Sequence, residues 1–112
     1  MEQTLLQKPK EFLHIKADKK NYNIPTETIL YIEGLDNYIK IKTATNSLIS
    51  YESLSGIEKK LPAEMFLRIH RSAIININQI DHYTSSYIML DDRQFTIGRN
   101  YKEHVLNNLE KQ

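Results

Sequence analysis

The chain of 112 residues contains no cysteine, no tryptophan, and only three glycines and three prolines. The absence of cysteine excludes disulfides and thiolate metal sites. The glycines stand far apart, so there is no glycine-rich loop of the kind that cradles nucleotide phosphates. No apolar run approaches the roughly 20 residues that a membrane-spanning helix needs. These absences favour a cytoplasmic protein that carries no cofactor.

Residues 1 to 10, "MEQTLLQKPK", are polar and lack the apolar stretch of a secretory signal. We interpret them as a flexible lead-in or interdomain linker, and residues 11 to 112 as one domain. Hydrophobic residues make up 40% of the chain, which suffices for a modest core.

The arginines are unevenly placed, although the net charge is only +1. All of them lie in the second half of the chain, at Arg68, Arg71, Arg93 and Arg99. A guanidinium is a planar fork that binds guanine or phosphate through two hydrogen bonds, whereas a lysine ammonium is a point charge. This distribution allows a nucleic-acid partner without requiring one.

Short β-strands dominate the predicted secondary structure. The predicted strands are 12–15 before a turn at "ADKKN", 27–34 buried on both faces, a hairpin of 37–43 with 47–52, and a second hairpin within 87–98 joined at "DDR". Helical spacing appears twice, at Leu54, Ile57 and Leu61 before Pro62, and in the closing segment 99–111. Segment 78–86 is predicted to be irregular. The fold class is therefore mainly β with two short helices.

In the segment "FLRIHRSAIININ", residues 66 to 78, apolar residues occupy alternate positions on both sides of Arg71. Arg71 itself falls at one of these positions and breaks the pattern. An unpaired guanidinium buried in an apolar layer costs several kcal/mol. We therefore predict two strands with a corner between them, and the corner presents His70, Arg71 and Ser72 to solvent. Each of these side chains can donate hydrogen bonds to phosphates or base edges.

An enzyme is not predicted. His70, Ser72 and Asp81 are the residue types of a nucleophilic triad, but nothing in the sequence indicates an oxyanion hole. The four histidines form no i, i+4 pair and no cluster with carboxylates at ligand spacing, so no metal site is expected.

Four segments, in order along the chain, are similar to motifs of one family. Residues 66 to 78 resemble the signature F-x-R-[IVC]-H-[RKN]-S-x-[IVL]-[VI]-N of the LytTR DNA-binding domain, the output domain of LytR/AlgR-type response regulators. The other three are "ILYIEGLDNYIKIKT", "SLSGIEKKLP" and "FTIGRNYKEHVLNNL". The resemblance runs from about residue 11 to 110, nearly the whole chain.

The resemblance implies an elongated, mainly β fold in which about ten short strands form small mixed sheets, with short helices attached. It implies sequence-specific binding of double-stranded DNA by a bacterial two-component transcriptional regulator. In the family, loops at sheet edges enter successive major grooves and touch the minor groove between them, without a recognition helix.

Carried over by position, the resemblance places the base-reading side chain of the major-groove loop at Arg71. The arginine that opens the last helix is Arg99, and a third contact falls near Asn37 and Tyr38. For Arg99 the alternative is a solvated residue in the first helical turn, and for Tyr38 it is a packed aromatic.

Five further residues are candidate DNA contacts, each with a structural alternative. His70 and Ser72 belong to the same corner as Arg71, where a histidine also orients the backbone through a hydrogen bond. Strand alternation directs the Arg68 side chain to solvent, where it either contacts DNA or pairs with a carboxylate such as Glu33 or Asp81. Lys40 and Lys42 share one strand face, which either contacts phosphates or is simply solvated.

The sequence departs from the family pattern at two positions. Ala73 stands where many members have Tyr or Phe, which weakens the expectation of aromatic packing there. Gly98 stands where many have Ser, which leaves the last helix without a side-chain acceptor at its cap.

In the family, the domain usually follows a phosphoacceptor receiver domain, whose dimerisation brings two copies onto paired promoter sites. We expect a receiver domain in the full-length protein, with a free-standing LytTR protein as the alternative. A different class also remains open, namely a small β-domain that binds other proteins, for example through an edge strand.

We predict that the isolated chain is a monomer and dimerises only on DNA. The sequence has no heptad seam and no long apolar stripe left over for a dimer. Light scattering at rising concentration should give the mass of one chain, and a dimer mass that is independent of concentration would contradict the prediction.

Overall fold

The computed structural model describes residues 11–111, so the proposed lead-in at residues 1 to 10 lies outside the described residues. The strands are β1 (Phe12–Ala17), β2 (Lys20–Pro25), β3 (Ile29–Gly34), β4 (Ile39–Thr43), β5 (Ser47–Ser50), β6 (Phe66–His70), β7 (Ala73–Asn76), β8 (His82–Tyr83), β9 (Tyr87–Leu90) and β10 (Arg93–Thr96). The helices are α1 (Leu54–Glu58) and α2 (Lys102–Glu110), with 3₁₀ turns at Thr26–Thr28, Ile77–Gln79 and Arg99–Tyr101. The mainly β prediction is confirmed. Between residues 11 and 111, no helix is long and apolar enough to cross a membrane.

The strands form three sheets, and every pairing within the described range is antiparallel. A central five-stranded sheet has the order β5-β4-β3-β7-β6, flanked by the β1-β2 ribbon and by a three-stranded sheet with the order β10-β9-β8. The sheets are thus antiparallel where the resemblance implied mixed ones. Six of the seven pairings among the described residues join consecutive strands through short connections, which return the chain antiparallel, whereas parallel neighbours need a long crossover.

Two hairpins are closed by tight turns with left-handed backbone. Asp18 and Lys19 join β1 to β2 with φ of 52° and 63°, and Asp91 and Asp92 join β9 to β10 with φ of 56° and 58°. Two residues with positive φ match the right-handed twist of the flanking strands, and aspartate tolerates this conformation better than most residues. The predicted turns at "ADKKN" and "DDR" are therefore confirmed.

The central sheet carries a separate core on each face. Ile32, Ile41 and Ile74 face the β1-β2 ribbon and α1, where Leu13 and Ile57 complete the packing. The opposite face packs against the three-stranded sheet and α2 through Tyr31, Leu67, Ile69, Ala73, Ile75, Ile88, Leu90, Phe95, Ile97, Val105 and Leu109. Strand β3 contributes to both cores, as predicted for a strand buried on both faces.

Segment 66–78 folds as predicted, with the corner taking the form of a hairpin turn between β6 and β7. Leu67 and Ile69 before the turn and Ala73 and Ile75 after it all belong to the same core. The turn lies at residues 71–72, where Arg71 is exposed. The strand register shifts between Arg68 and His70, so a β-bulge precedes the turn.

Two local predictions need correction. The helix expected to run to Pro62 ends at Glu58, and Leu61 is buried in the chain that follows it. The segment 78–86 is not wholly irregular, because it contains β8, which pairs with β9. Both residues of β8 are exposed, so this strand depends on backbone pairing and leaves no apolar alternation in the sequence.

Asn76 is a buried polar side chain that ties β7 to the start of β3. It is 1% exposed, its Nδ2 donates to the Ile29 carbonyl at 2.8 Å, and its Oδ1 accepts from the Asn78 N–H at 2.9 Å. A buried amide is tolerated only when its hydrogen bonds are made.

We predict that Asn76→Ala destabilises the domain by about 1–3 kcal/mol, because the buried Ile29 carbonyl loses its side-chain donor. Asn78→Ala is the matched control, since the Asn78 side chain is exposed and only its backbone N–H is used. Urea titrations of both variants measure the difference. Equal stability of the two would contradict the prediction.

Candidate nucleic-acid interface

Three chain connections meet at one end of the central sheet. The β3–β4 loop, residues 35–38, is joined to the β6–β7 turn because the Gly34 N–H donates to the Ser72 carbonyl at 2.9 Å. On the other side of this turn, the Gly98 N–H donates to the Ile69 carbonyl at 2.8 Å, so the chain entering α2 lies against β6. We call these three segments (35–38, 71–72 and 98–101) the reading end.

Arg71 stands at the centre of the reading end and borders a concavity on each side. A shallow concavity of about 700 Å³ is shared with Tyr38 and Asp36 of the β3–β4 loop. A second concavity, of about 370 Å³, lies between Arg71 and Arg99. The structure therefore brings together Arg71, Arg99 and the β3–β4 loop, which the sequence placed in three separate motifs.

The four arginines divide into two pairs by their partners. Arg93 binds Glu33, and Arg68 binds Glu58 at 2.9 Å. Arg71 and Arg99 are exposed, and neither has a carboxylate partner among residues 11–111. Two guanidiniums at the reading end are thus free to bind an anion or a base edge.

Arg68 is not where the sequence placed it. Its side chain is only 15% exposed, although its alternation predicted solvent. The alternation itself holds, since Arg68 lies opposite Ile74 on the face of the first core. That face is covered by α1 at this point, and the guanidinium contacts Ser55 and Glu58. Its carboxylate partner is Glu58 of α1, and neither Glu33 nor Asp81, the two partners that the sequence suggested, contacts it.

His70 and Ser72 hold the turn that carries Arg71. The Ser72 N–H donates to His70 Nδ1 at 3.1 Å, and the Ser72 hydroxyl lies 2.9 Å from the same nitrogen. The backbone-orienting hydrogen bond expected of His70 is therefore present. Asp81, the third residue type of a triad, instead contacts its neighbour His82 at 3.1 Å.

Lys40 and Lys42 lie on one face of β4, as predicted, and both are half-buried. They are paired across the strands with Glu33 and Tyr31, so they face the side of the central sheet that carries the three-stranded sheet. Asn37 is exposed in the β3–β4 loop. The lysines thus lie on the strand that follows the β3–β4 loop of the reading end.

Tyr38 is half-buried and packs edge-on against Tyr51, with the ring centroids 5.9 Å apart. Tyr51 itself is 80% exposed. Nothing in the sequence marks Tyr51 as a neighbour of Tyr38, since it falls at the end of the predicted strand 47–52 and on another connection. Tyr38 is thus a packed aromatic, as its alternative predicted, and it also lines the concavity next to Arg71.

Gly98 permits the close approach of the last helix to the turn. A Cβ at this position would lie 3.0 Å from a ring carbon of Tyr101 and 3.4 Å from Cδ2 of His70. Such contacts are tighter than side chains normally make. The 3₁₀ turn that opens α2 has no side-chain cap, as the absence of Ser predicted.

The ion pair of Glu33 and Arg93 fastens the three-stranded sheet to β3. The Arg93 guanidinium also donates to the Tyr31 hydroxyl at 3.4 Å and lies 4.6 Å from the ring centroid of Phe95. Its hydrogen bond to Glu33 lowers the pKa of that carboxyl, and this effect outweighs the opposing effect of burial. The same bond raises the pKa of Arg93.

Within the described residues, no three His, Asp or Glu side chains gather in a way that would hold a metal ion. The fold and the reading end thus define a class: a small antiparallel β-domain that presents unpaired arginines from its connections. The model of the LytTr DNA-binding domain family matches residues 19–110. The chain belongs to this family of DNA-binding domains, and the resemblance found in its motifs is confirmed.

Several curated relatives are bacterial regulators. The sensory transduction protein LytT of Bacillus anthracis is 33% identical over 85 residues, which is 70% of this chain and 35% of LytT. LytT of Bacillus subtilis is 32% identical over 88 residues, 73% of this chain and 36% of LytT. The chain therefore spans about a third of the length of these relatives.

A solved structure shows the same fold. It is described as the LytTr DNA-binding domain of a putative methyl-accepting/DNA response regulator from Bacillus cereus. Its TM-score is 0.76 at 23% sequence identity, and the match covers 90% of this chain and 98% of that one. The arrangement of ten strands and two helices is thus that of a known LytTR domain.

We predict that Glu33→Gln lowers the stability of the domain by up to about 1 kcal/mol near neutral pH, since this ion pair is partly exposed to solvent. A carboxyl with a lowered folded pKa contributes stability above its unfolded pKa of about 4.3 and loses that contribution as pH falls through the folded value.

The difference between wild type and Glu33→Gln should therefore be full above about pH 5 and vanish in stronger acid. Thermal melts of both proteins from pH 3 to 7 provide the measurement. Glu64→Gln, which changes an exposed carboxylate on a turn, is the control. A difference that does not change with pH would show that the ion pair contributes nothing.

Proposed function

We propose that this chain is the output domain of a bacterial two-component transcriptional regulator and binds specific double-stranded DNA sites through its reading end. The side chains that we assign to DNA contact are Asn37, Tyr38, Lys40, Lys42, His70, Arg71, Ser72 and Arg99. Membership of the LytTR family supports DNA binding by a regulator. The finer statement, that the connections enter successive major grooves, is what the resemblance to the LytTR family implies, and we propose the reading end as the surface that does so.

The observation that carries the proposal is the position of Arg71 between two concavities, with Arg99 on one side and Tyr38 on the other. An exposed guanidinium on a tight turn projects beyond the backbone, where it can fork onto O6 and N7 of a guanine in the major groove. Helix α2 begins at the same end and supplies Arg99 from the turn that precedes it.

The lysines have a different part in the proposal. Lys40 and Lys42 are point charges on the rigid strand β4, so they suit phosphate contacts that carry no sequence information. Ionic contacts to phosphate release condensed counterions and make affinity depend steeply on salt. We therefore assign base reading to the exposed arginines and backbone positioning to the lysines.

The partners of the whole protein are part of the same proposal. The chain matches about a third of each LytT relative, which leaves room in such proteins for a receiver domain. We propose that a receiver domain dimerises and places two reading ends on paired promoter sites in the cytoplasm. Binding by one isolated domain is then weak, because it lacks the gain in effective concentration of a linked pair.

The test is a set of binding isotherms on a duplex that the wild-type chain selects from a randomised library and on the unselected pool. Measurements in EDTA at several salt concentrations should show binding without metal, with a steep negative slope of log affinity against log salt. A folded chain with no duplex affinity at low salt would overturn the proposal and favour the protein-binding alternative.

We predict that Arg71→Ala costs about 1–3 kcal/mol on the selected duplex and relaxes one base position. Arg99→Ala should do the same if it reads a base, and should weaken all duplexes alike if it holds a phosphate. Lys40→Ala and Lys42→Ala should each weaken both duplexes equally and reduce the salt slope by about one unit.

Lys111→Ala is the matched control, because the substitution also removes one positive charge but at the opposite end of α2 from Arg99. Thermal melts of every variant accompany the isotherms, and exposed substitutions should stay within about 0.5 kcal/mol of wild type. If Arg71→Ala binds the selected duplex like wild type, or binds poorly only because it is unfolded, then Arg71 does not read the site.

A further inference from the structure

The Arg68 guanidinium is occupied almost entirely by the protein itself. Its Nε donates to the His70 carbonyl at 3.0 Å, and Nη2 donates to the Arg71 carbonyl at 2.5 Å. Its Nη1 donates to Glu58 Oε1 at 2.9 Å and to Ser55 Oγ at 3.3 Å. A guanidinium has five N–H donors, so these contacts leave little capacity for a ligand.

The turn that Arg68 holds is unlike the other two-residue hairpin turns among the described residues. Those at residues 18–19 and 91–92 use positive φ at both positions, whereas Arg71 and Ser72 have no positive φ. A two-residue hairpin without left-handed residues lacks the local geometry that matches strand twist. The conformation of the β6–β7 turn must therefore be fixed by contacts from outside its own backbone.

Arg68 provides those contacts from one side and the His70–Ser72 pair from the other. The two carbonyls that Arg68 binds belong to the residue before the turn and to Arg71 itself. Ser55 and Glu58 of α1 hold the guanidinium in place, so the turn is anchored to a helix that packs in the first core.

We propose that Arg68 is a positioning residue, which sets the direction of Arg71 and makes no contact with DNA. This inference rests on the proposed function of the reading end. On this proposal, Arg68 contributes to the choice of base sequence and does not bind phosphate. Its charge is matched by Glu58, and its side chain is only 15% exposed. Lysine cannot replace it, since an ammonium does not fork across two carbonyls.

The experiment compares Arg68→Lys with wild type on the selected duplex and the unselected pool. Affinity for the pool and the salt slope should be unchanged, because the charge remains. The affinity for the selected duplex, divided by the affinity for the pool, should fall about tenfold. This loss should not exceed the loss caused by Arg71→Ala, which we expect to be about 5- to 150-fold. Arg93→Lys is the matched control, since Arg93 is also paired but contacts no turn carbonyl.

Arg68→Gln separates positioning from a phosphate contact. If Arg68 touched phosphate, this change would weaken both duplexes alike and reduce the salt slope by about 0.9. On the positioning account, the slope stays as in wild type and only the selected duplex is affected. A reduced slope therefore overturns the inference.

A double substitution shows whether Arg68 acts through Arg71. Arg68→Lys should add little to the loss of specificity that Arg71→Ala already causes, so the two changes should be strongly non-additive. Additive losses would mean that Arg68 acts on DNA independently, and would overturn the inference. Glu58→Gln should lower the same ratio by a smaller factor, because it leaves Arg68 in place with weaker support.

A measurement on the free protein shows whether a loss of DNA specificity arises from unfolding. In amide NMR spectra, Arg68→Lys should shift Arg71 and Ser72 while leaving β9 and β10 unchanged. Shifts spread over the whole domain, or none at the turn, would overturn the positioning role. If the wild-type chain shows no preference for any duplex, the proposed function fails together with this inference. If Arg68→Lys keeps the specificity of wild type, only this inference fails.

Discussion

The pairing of β3 with β7 is the contact on which the candidate interface depends. Tyr31 lies opposite Ile75 and Glu33 opposite Ala73, and the ladder closes with the Gly34 N–H donating to the Ser72 carbonyl. Both strands are buried between two cores, so a slip of one residue would turn each core side chain to the wrong face. Because the register is fixed in this way, the β3–β4 loop and the β6–β7 turn meet at a fixed distance.

Charge pairing decides which cations remain available at that meeting point. Glu33 engages Arg93 and Glu58 engages Arg68, and both contacts serve to hold parts of the domain together. Arg71 and Arg99 are left exposed at the end of the sheet. The small net charge of the chain conceals this arrangement, because the carboxylates neutralise the structural arginines and leave those at the reading end.

The sequence predicted the elements well and their pairing only in part. Alternation of apolar residues located nearly all the strands, and the failure of that alternation at Arg71 located the β6–β7 turn. It could not reveal that α1 covers the face on which Arg68 lies, so that the guanidinium is buried against Ser55 and Glu58. Nor could it locate β8, whose exposed residues pair through the backbone alone, or Tyr51, whose partner Tyr38 lies on another strand connection. The family motifs supplied Arg71 and Arg99, while their shared concavity depends on hydrogen bonds distant in sequence.

The reading end is assembled from connections that are widely separated along the chain, and its last member precedes the final helix. During synthesis, the β3–β4 loop leaves the ribosome long before Arg99 does. Contacts between distant segments also form slowly, because chain entropy must be overcome before they are made. It follows that a chain ending before residue 98 can join the β3–β4 loop to the β6–β7 turn but cannot form the concavity between Arg71 and Arg99.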